Sequence, residues 1–360
     1  MEAIRRRSPL ALAVCGFVAI EVLCIALARF YGYAPLSTAT WTRWDSDFYL
    51  RISELGYELS HCLPDKPGFW CGTTGWFPGL SWLMQVAALS GIPRGVAGMF
   101  VNVICWFGIL WILALTLERD ARGLVAFAAA CVFPGSIYLH ALFPLSPLLL
   151  CALLAFQAAI GERFLLATLF SMLAATLYPI GVLVGPSIAL ACTGRARWLA
   201  VAGTAIGFGL VLLVQHRQTG YWNGYWLMHT QAEEGLHNPF DTLGARLKPL
   251  INKRYREPVR VWTAIQTLLV TSFMIWVVAN VRSLWREGGQ TRIILVYCIG
   301  AWLLPMFAGG NVTFARSECA LLPAVYLVQR LPLRVAAAAL VLLLVIFAGS
   351  ERLFLTRELV

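Results

Sequence analysis

Long apolar runs alternate with short charged ones along the whole chain. Residues 10–28, 76–89, 96–117, 123–160, 164–191, 198–214, 261–281, 293–307, 319–328 and 335–349 are almost free of charge. The longer runs reach the ~20 residues that a helix needs to cross a bilayer. Lipid offers no partner to open backbone, and these runs are too long and too rich in Leu, Ala and Gly for barrel strands of about 10 residues, so the pattern predicts helices. The 123–160 run is too long for one span. It is expected to break near Phe133-Pro134-Gly135 or Phe143-Pro144-Leu145-Ser146-Pro147, where prolines suit half-helices at a cavity. The 164–191 run is either one helix kinked at Tyr178-Pro179-Ile180-Gly181 or two short ones. The expectation is an all-α polytopic bundle of about eleven spans, a single domain over 1–360.

Two polar stretches interrupt the pattern, near 30–74 and 216–259. In the first, Trp41, Trp44, Phe48, Ile52 and Leu55 recur at three- and four-residue spacings, which predicts an amphipathic helix over 37–59 lying at the interface. Residues 60–74, rich in Pro, Gly and Cys, are expected to be irregular. Arg5-Arg6-Arg7 precedes the first apolar run and places the N-terminus in the cytoplasm, so both polar stretches face the exoplasm. The first run has no convincing cleavage region and holds Glu21, and more spans follow it. It therefore reads as an uncleaved span with an acid turned into the bundle toward a hydrogen-bonding partner.

Composition agrees: 59% of the 360 residues are hydrophobic and 13% charged, with a mean hydropathy of +0.73. The net charge of +10 comes mostly from Arg at the ends of apolar runs. That is a topology and headgroup signal, with no folded basic module for nucleic acid. Of the ten Cys, seven lie in apolar runs as small packing residues. Cys62 and Cys71 sit in the first polar stretch, either as free thiols or as a bridge if that loop meets an oxidising compartment. No Cys-x-x-Cys spacing points to zinc or thioredoxin chemistry.

The densest candidate chemistry is Thr40-Trp41-Thr42-Arg43-Trp44-Asp45-Ser46-Asp47-Phe48-Tyr49-Leu50-Arg51. On one continuous helix, Asp45 and Tyr49 share a face while Arg43, Asp47 and Arg51 share nearly the opposite one. Asp47 is then an anchor between two guanidinium groups, whereas Asp45 lacks such a partner in the local sequence and is freer to act as a base. A two-residue carboxylate spacing does not make a metal site, and no metal or cofactor is expected. In the second loop, Tyr221-Trp222-Asn223-Gly224-Tyr225-Trp226 with His229 and Gln231 forms an aromatic and polar cluster able to cover a site. Lys253-Arg254-Tyr255-Arg256 suits contact with anionic headgroups.

Trp44-Asp45-Ser46-Asp47-Phe48-Tyr49-Leu50, followed by Ile52 and Gly56-Tyr57, resembles the first luminal loop of the glycosylphosphatidylinositol class V type mannosyltransferases and their bacterial relatives. Those proteins carry Trp-Asp, a small residue, two variable ones and an aromatic, ending in Gly-Tyr. Trp76-Phe77-Pro78-Gly79-Leu80 resembles the family's Phe-Phe-Pro-Leu-Tyr-Pro, Pro134-Gly135-Ser136-Ile137 falls where it has Asn-Pro-Ala-Ser, and Thr313-Phe314-Ala315-Arg316 sits where it has a late Arg. Phe133 departs from the family's usual Asn, and Phe143-Pro144-Leu145-Ser146 replaces its acidic Tyr-Ser-Glu-Ser.

The resemblance implies the GT-C glycosyltransferase class, a multi-span helical bundle with an exoplasmic site. Its donor would be a polyprenyl-phosphate-linked sugar, mannose by the family pattern, and its acceptor a hydroxyl of a lipid or glycolipid at the bacterial inner membrane. Asp45 then matches the family's essential acid. Arg316 is either the clamp on the leaving phosphate or an interface residue, and Arg43 is the second candidate clamp. Trp44 and Tyr49 either line the sugar subsite or anchor the interface, with Asp47, Trp226 and His229 as further substrate-side residues. Rival readings are a transferase of another lipid-linked sugar, a transporter, and a non-catalytic subunit of glycolipid assembly.

Overall fold

The computed structural model describes residues 8–63, 69–229, 235–309 and 314–359. Arg5-Arg6-Arg7, Gln231 and Thr313, which carried part of the sequence reading, lie outside them.

Helix α1, Pro9–Phe30, leads into the first polar stretch, which holds α2 (Thr38–Trp41), α3 (Ser46–Leu55) and a two-stranded antiparallel hairpin of β1 (Leu59–His61) and β2 (Trp70–Gly72). Helix α4, Gly79–Ala88, has ten residues and turns at once into α5, Arg94–Thr116. Next come α6 (Ala121–Cys131), the single turn α7 (Ile137–His140) and α8 (Leu145–Ile160). Helix α9, Phe164–Leu177, gives way at Tyr178 to a 3-10 turn, Pro179–Leu183, that runs into α10, Val184–Ala191. Helix α11, Trp198–Thr219, leads to the second polar stretch with α12 (Gly224–His229) and α13 (Pro239–Ile251). The chain closes with α14 (Pro258–Ala279), α15 (Val281–Arg286), α16 (Gly289–Ala308), α17 (Phe314–Cys319), α18 (Val325–Val328) and α19 (Leu333–Leu355).

Among the described residues, six helices are long and apolar enough to cross a membrane: α1, α5, α11 with its preceding turn, α14, α16 and α19. Four more apolar helical segments are shorter, at 121–131, 145–160, 164–177 and 179–191. The chain is an all-α polytopic membrane protein apart from one small hairpin among the described residues. The 76–89 run, read as a span, forms a helix of about 15 Å, half the hydrocarbon thickness. It stays beside the first polar stretch, with Ser81 Oγ donating to the Tyr49 carbonyl (2.8 Å) and Gln85 Nε2 to that of Ser53 (3.0 Å).

Two ends of the bundle are defined by polar contacts. At one, Arg330 joins Glu287 (2.9 Å) and Glu118 (2.5 Å), and Pro9 packs near Glu118. At the other, the two polar stretches meet: Gln215 Nε2 donates to the Thr74 carbonyl and Thr74 Oγ1 to that of Gly224, each at 2.8 Å. Helices α6 and α8 leave the Arg330 end and return to it, with 133–143 as their apex. Nearly every residue of that apex is buried, including Ile137, Leu139, Ala141 and Leu142 at 0% exposure. Helices α9 and α10 make a second such hairpin with Tyr178 at its break. Gly203 and Gly207 of α11 lie against the Thr168 and Met172 carbonyls of α9, the close approach that small residues permit between membrane helices.

Candidate functional site

The 37–59 stretch is not one helix. It breaks over 42–45, where Trp44 adopts φ +46° and Ser46 Oγ accepts from the Arg43 amide (3.1 Å) while donating to the Leu142 carbonyl (3.0 Å). The Leu142 amide in turn donates to the Trp41 carbonyl (3.1 Å). Asn102, buried in α5, braces the other side by donating to the Phe143 carbonyl (3.0 Å) and to that of Ala141. The motif loop is thus stapled to the α6–α8 apex. The backbone bonds it forgoes as a helix are replaced by bonds to a segment about 100 residues away.

Asp45 stands as the N-cap residue of α3, yet its side chain caps nothing. Its carboxylate instead accepts from Arg316 at the start of α17, forming an ion pair across 271 residues of sequence. The local sequence offers Asp45 no such partner, and the fold supplies one from far along the chain. Each of the two side chains keeps 20% of its surface exposed, so the pair borders accessible space. The Arg316 guanidinium also lies over the Phe143 ring, 5.6 Å from its centroid, and its Nε–H is buried without an acceptor among the described residues. Gly135 makes the approach of α17 possible. At φ +73° it faces the Ala315 carbonyl, and a Cβ there would sit 2.1 Å from that oxygen.

Tyr49, Tyr138 and Tyr178 all lie in the electrostatic neighbourhood of Arg316. Burial, and then the Asp45 charge, push the Tyr49 phenol well above its ordinary value, so it is a neutral hydrogen-bonding group. Tyr49 is 1% exposed and forms a wall beneath the pair, not an open sugar subsite. Trp44 is half-buried and meets Phe354 of α19 edge-on at 5.2 Å, as Tyr138 does at 5.9 Å.

Neither Arg43 nor Arg51 forms an ion pair with Asp47, although the Asp47 charge still acts on the Arg43 guanidinium. Arg43 Nη1 donates to the Ala39 (2.5 Å) and Thr42 (3.3 Å) carbonyls, and its guanidinium lies 5.9 Å from the Tyr33 ring centre. Arg51 pairs with Glu58. Asp47 is exposed and forms no ion pair among the described residues. Arg43 Nη1 is engaged with backbone carbonyls, while its Nε, like that of Arg316, is buried without an acceptor among the described residues. His229 and Trp226 do not reach the Asp45–Arg316 pair. His229 Nε2 contacts the Gly75 carbonyl (3.1 Å) and its ring lies tilted against Tyr225, and Trp226 is half-exposed against Phe208. Cys62 and Cys71 are bridged, pinning β1 to β2, so the 60–74 stretch is partly a strand pair.

Glu21 meets His140 Nδ1 at 2.9 Å, the bundle partner its position called for. The site partners that sequence reading passed over are Ser46, Tyr138, Tyr178 and Phe354. Tyr178 carried a signal, the Tyr-Pro break, whereas Phe354 sits at the end of a uniformly apolar run and carried none. No group of three or more His, Cys, Asp or Glu among the described residues could hold a metal ion.

A protein-family comparison finds no matching family for the chain, and a search of curated proteins finds no relative.

Proposed function

We propose that the chain is a membrane glycosyltransferase of the GT-C class, moving mannose from a polyprenyl-phosphate donor to a hydroxyl of a lipid or glycolipid acceptor, with inversion at the anomeric carbon. The observation that carries this reading is the ion pair between Asp45 and Arg316. The first-loop acid and the late Arg, singled out separately, meet where three broken helical segments converge.

In this reading the resting pair is exchanged for substrates. The donor phosphate takes the guanidinium, whose spare Nε–H is a further donor, and the acceptor hydroxyl takes the carboxylate. Asp45 removes the hydroxyl proton as its oxygen attacks the anomeric carbon, and Arg316 stabilises the charge developing on the departing polyprenyl phosphate. Tyr49, buried and neutral, bounds the pair from below.

Reading the shorter limbs α6, α8, α9, α10 with its 3-10 turn, and 314–328 as crossings completed by the break residues beside them would bring the six long helices to eleven crossings, with α4 held at the surface by its bonds to the first polar stretch. With the N-terminus cytoplasmic in a bacterial inner membrane, the motif end and the C-terminus are then exoplasmic. The Cys62–Cys71 bridge supports that side, since disulfides persist in oxidising compartments. The test is to incubate purified protein with polyprenyl-phosphate-linked sugars, mannose first, and lipid acceptors. Sugar transfer that depends on Asp45 supports the assignment, and no transfer from any such donor defeats it.

The two helix–break–helix hairpins, with breaks at 132–144 and 178–183, favour a second reading as a transporter, in which Asp45 and Arg316 form a gate. Uptake of a lipid-linked sugar by proteoliposomes without glycosidic bond formation would select it.

A further inference from the structure

Inside the bundle, α1, α5, the 133–143 apex and α19 bring together polar groups that the Asp45–Arg316 pair does not use. Glu351 of α19 is 0% exposed, and neither of its carboxylate oxygens has a hydrogen-bond partner among the described residues. Glu21 of α1, whose charge acts on Glu351, is engaged with His140 Nδ1 (2.9 Å). The Nε2 of His140 is buried and unpartnered, and so is Nε1 of Trp106, whose indole stands edge-on to the His140 ring at 5.7 Å. Helices α1, α6, α14 and the apex pack against α19. The titratable groups they bring near Glu351 are Glu21, Cys24 and His140. Of their other titratable groups, Cys15, Arg29, Arg122 and Arg260 are exposed, Cys131 is half-buried and Tyr138 faces Arg316, while Arg334 and Arg352 of α19 itself are exposed. The motif loop reached by Phe354 adds Arg43 and Asp45, which are engaged with backbone carbonyls and with Arg316. No Lys or Arg among the described residues pairs with either acid.

We propose that this cluster is a buried proton-binding site, in which Glu351 takes up one proton from water and the neutral carboxyl lets α19 latch onto the apex and the motif loop. A carboxylate charge held in an apolar bundle with neither donor nor cation is neutralised by a proton. Glu21 has His140 as its partner, so Glu351 is the surplus acid. Uptake forms one O–H bond on a Glu351 oxygen, and no other covalent bond changes. Position gives that proton its reach. Phe347 lies four residues before Glu351 and Phe354 three after it, which puts all three on one face of α19. Phe347 packs on His140 (6.5 Å), and Phe354 packs on Trp41 (6.4 Å), Trp44 (5.2 Å) and Tyr138 (5.9 Å). Losing the proton sets two like charges, Glu21 and Glu351, across the contact between α1 and α19. The repulsion drives off the face that holds Trp44, the residue before Asp45.

The test follows the infrared carbonyl stretch of protonated carboxyl groups in the full-length protein in nanodiscs. Wild type is compared with Glu21→Gln, Glu351→Gln and Glu318→Gln, the last removing the other deeply buried carboxyl, 5% exposed on α17. The expected result at neutral pH is a band that survives Glu21→Gln and Glu318→Gln, is lost in Glu351→Gln, and fades from wild type in alkaline buffer. Hydrogen exchange of residues 41–48 is then measured in wild type and Glu351→Gln at the same pH. It should be equal in mildly acidic buffer and about fivefold faster in wild type in alkaline buffer, where only wild type can ionise. A band untouched by Glu351→Gln, or exchange that is the same in both proteins at both pH values, would overturn the proposal. Should Glu351→Gln fail to fold, as thermal unfolding would show, the wild-type band must persist in both other variants and fade with alkali as exchange of 41–48 rises, and its absence from either variant would overturn the proposal. Neither readout involves a sugar, so the proton site stands or falls separately from the transferase.

Discussion

Asp45 and Arg316 matter because each solves the other's problem. A guanidinium inside an apolar bundle is expensive without a counter-charge, and a carboxylate beside a membrane needs the same. Removing one charge strands the other. Arg316→Ala is therefore expected to lower stability by about 1–3 kcal/mol, less than a fully buried pair would lose because both side chains are part exposed. Arg316→Lys should keep the fold while cutting transfer at least tenfold, since a point charge cannot reproduce the planar fork. Thermal unfolding and transfer rate measured on the same samples check both. Each residue stood out in the sequence, Asp45 by its motif and Arg316 by its isolation between apolar runs. Their pairing did not, because local periodicity says nothing about contacts 271 residues apart.

Among the elements, the breaks that make the site were partly legible. Proline and glycine marked the apex of 133–147 and the interruption at 178–181, and the structure breaks at both. The break between α2 and α3 was hidden because the apolar spacing continues through it. Its cause is a serine hydroxyl engaged with Leu142, a tertiary bond that overrides helix propensity. The assignment of Arg43, Asp47 and Arg51 to one face fell with it. Gly135→Ala is expected to push α17 from the apex, costing on the order of 2 kcal/mol and most of the activity. Mutating the distant Gly244, which has open space around it, should change neither. In the first loop, Cys62 and Cys71 should resist maleimide until reduced, when both label; labelling without reductant would contradict the bridge.

At the level of the whole molecule, basic residues mark both ends of the bundle, and the second polar stretch alone carries Arg217, Arg246, Lys248, Lys253, Arg254 and Arg256. Arg119, Arg122, Arg282, Arg286, Arg330 and Arg334 follow or precede helices that end near Glu118 and Glu287. The membrane class was legible from apolar length alone, and the six long helices repeat it. The half-depth α4 was not, because composition does not reveal where a short apolar run stops. Orientation follows as a prediction: in intact cells, an impermeant thiol reagent should reach a Cys placed at Asp241 in the second loop and not one placed at Arg286.

The central claim is that Asp45, and not Asp47, does the chemistry. The measurement is the rate of sugar transfer from polyprenyl-phosphate-linked mannose to a lipid acceptor by wild type, Asp45→Asn and Asp47→Asn at matched unfolding temperatures. The account predicts a fall of about 10²–10⁴-fold for Asp45→Asn and a rate within a few-fold of wild type for the exposed Asp47→Asn. Undiminished transfer by Asp45→Asn, or equal loss in both variants, would contradict it.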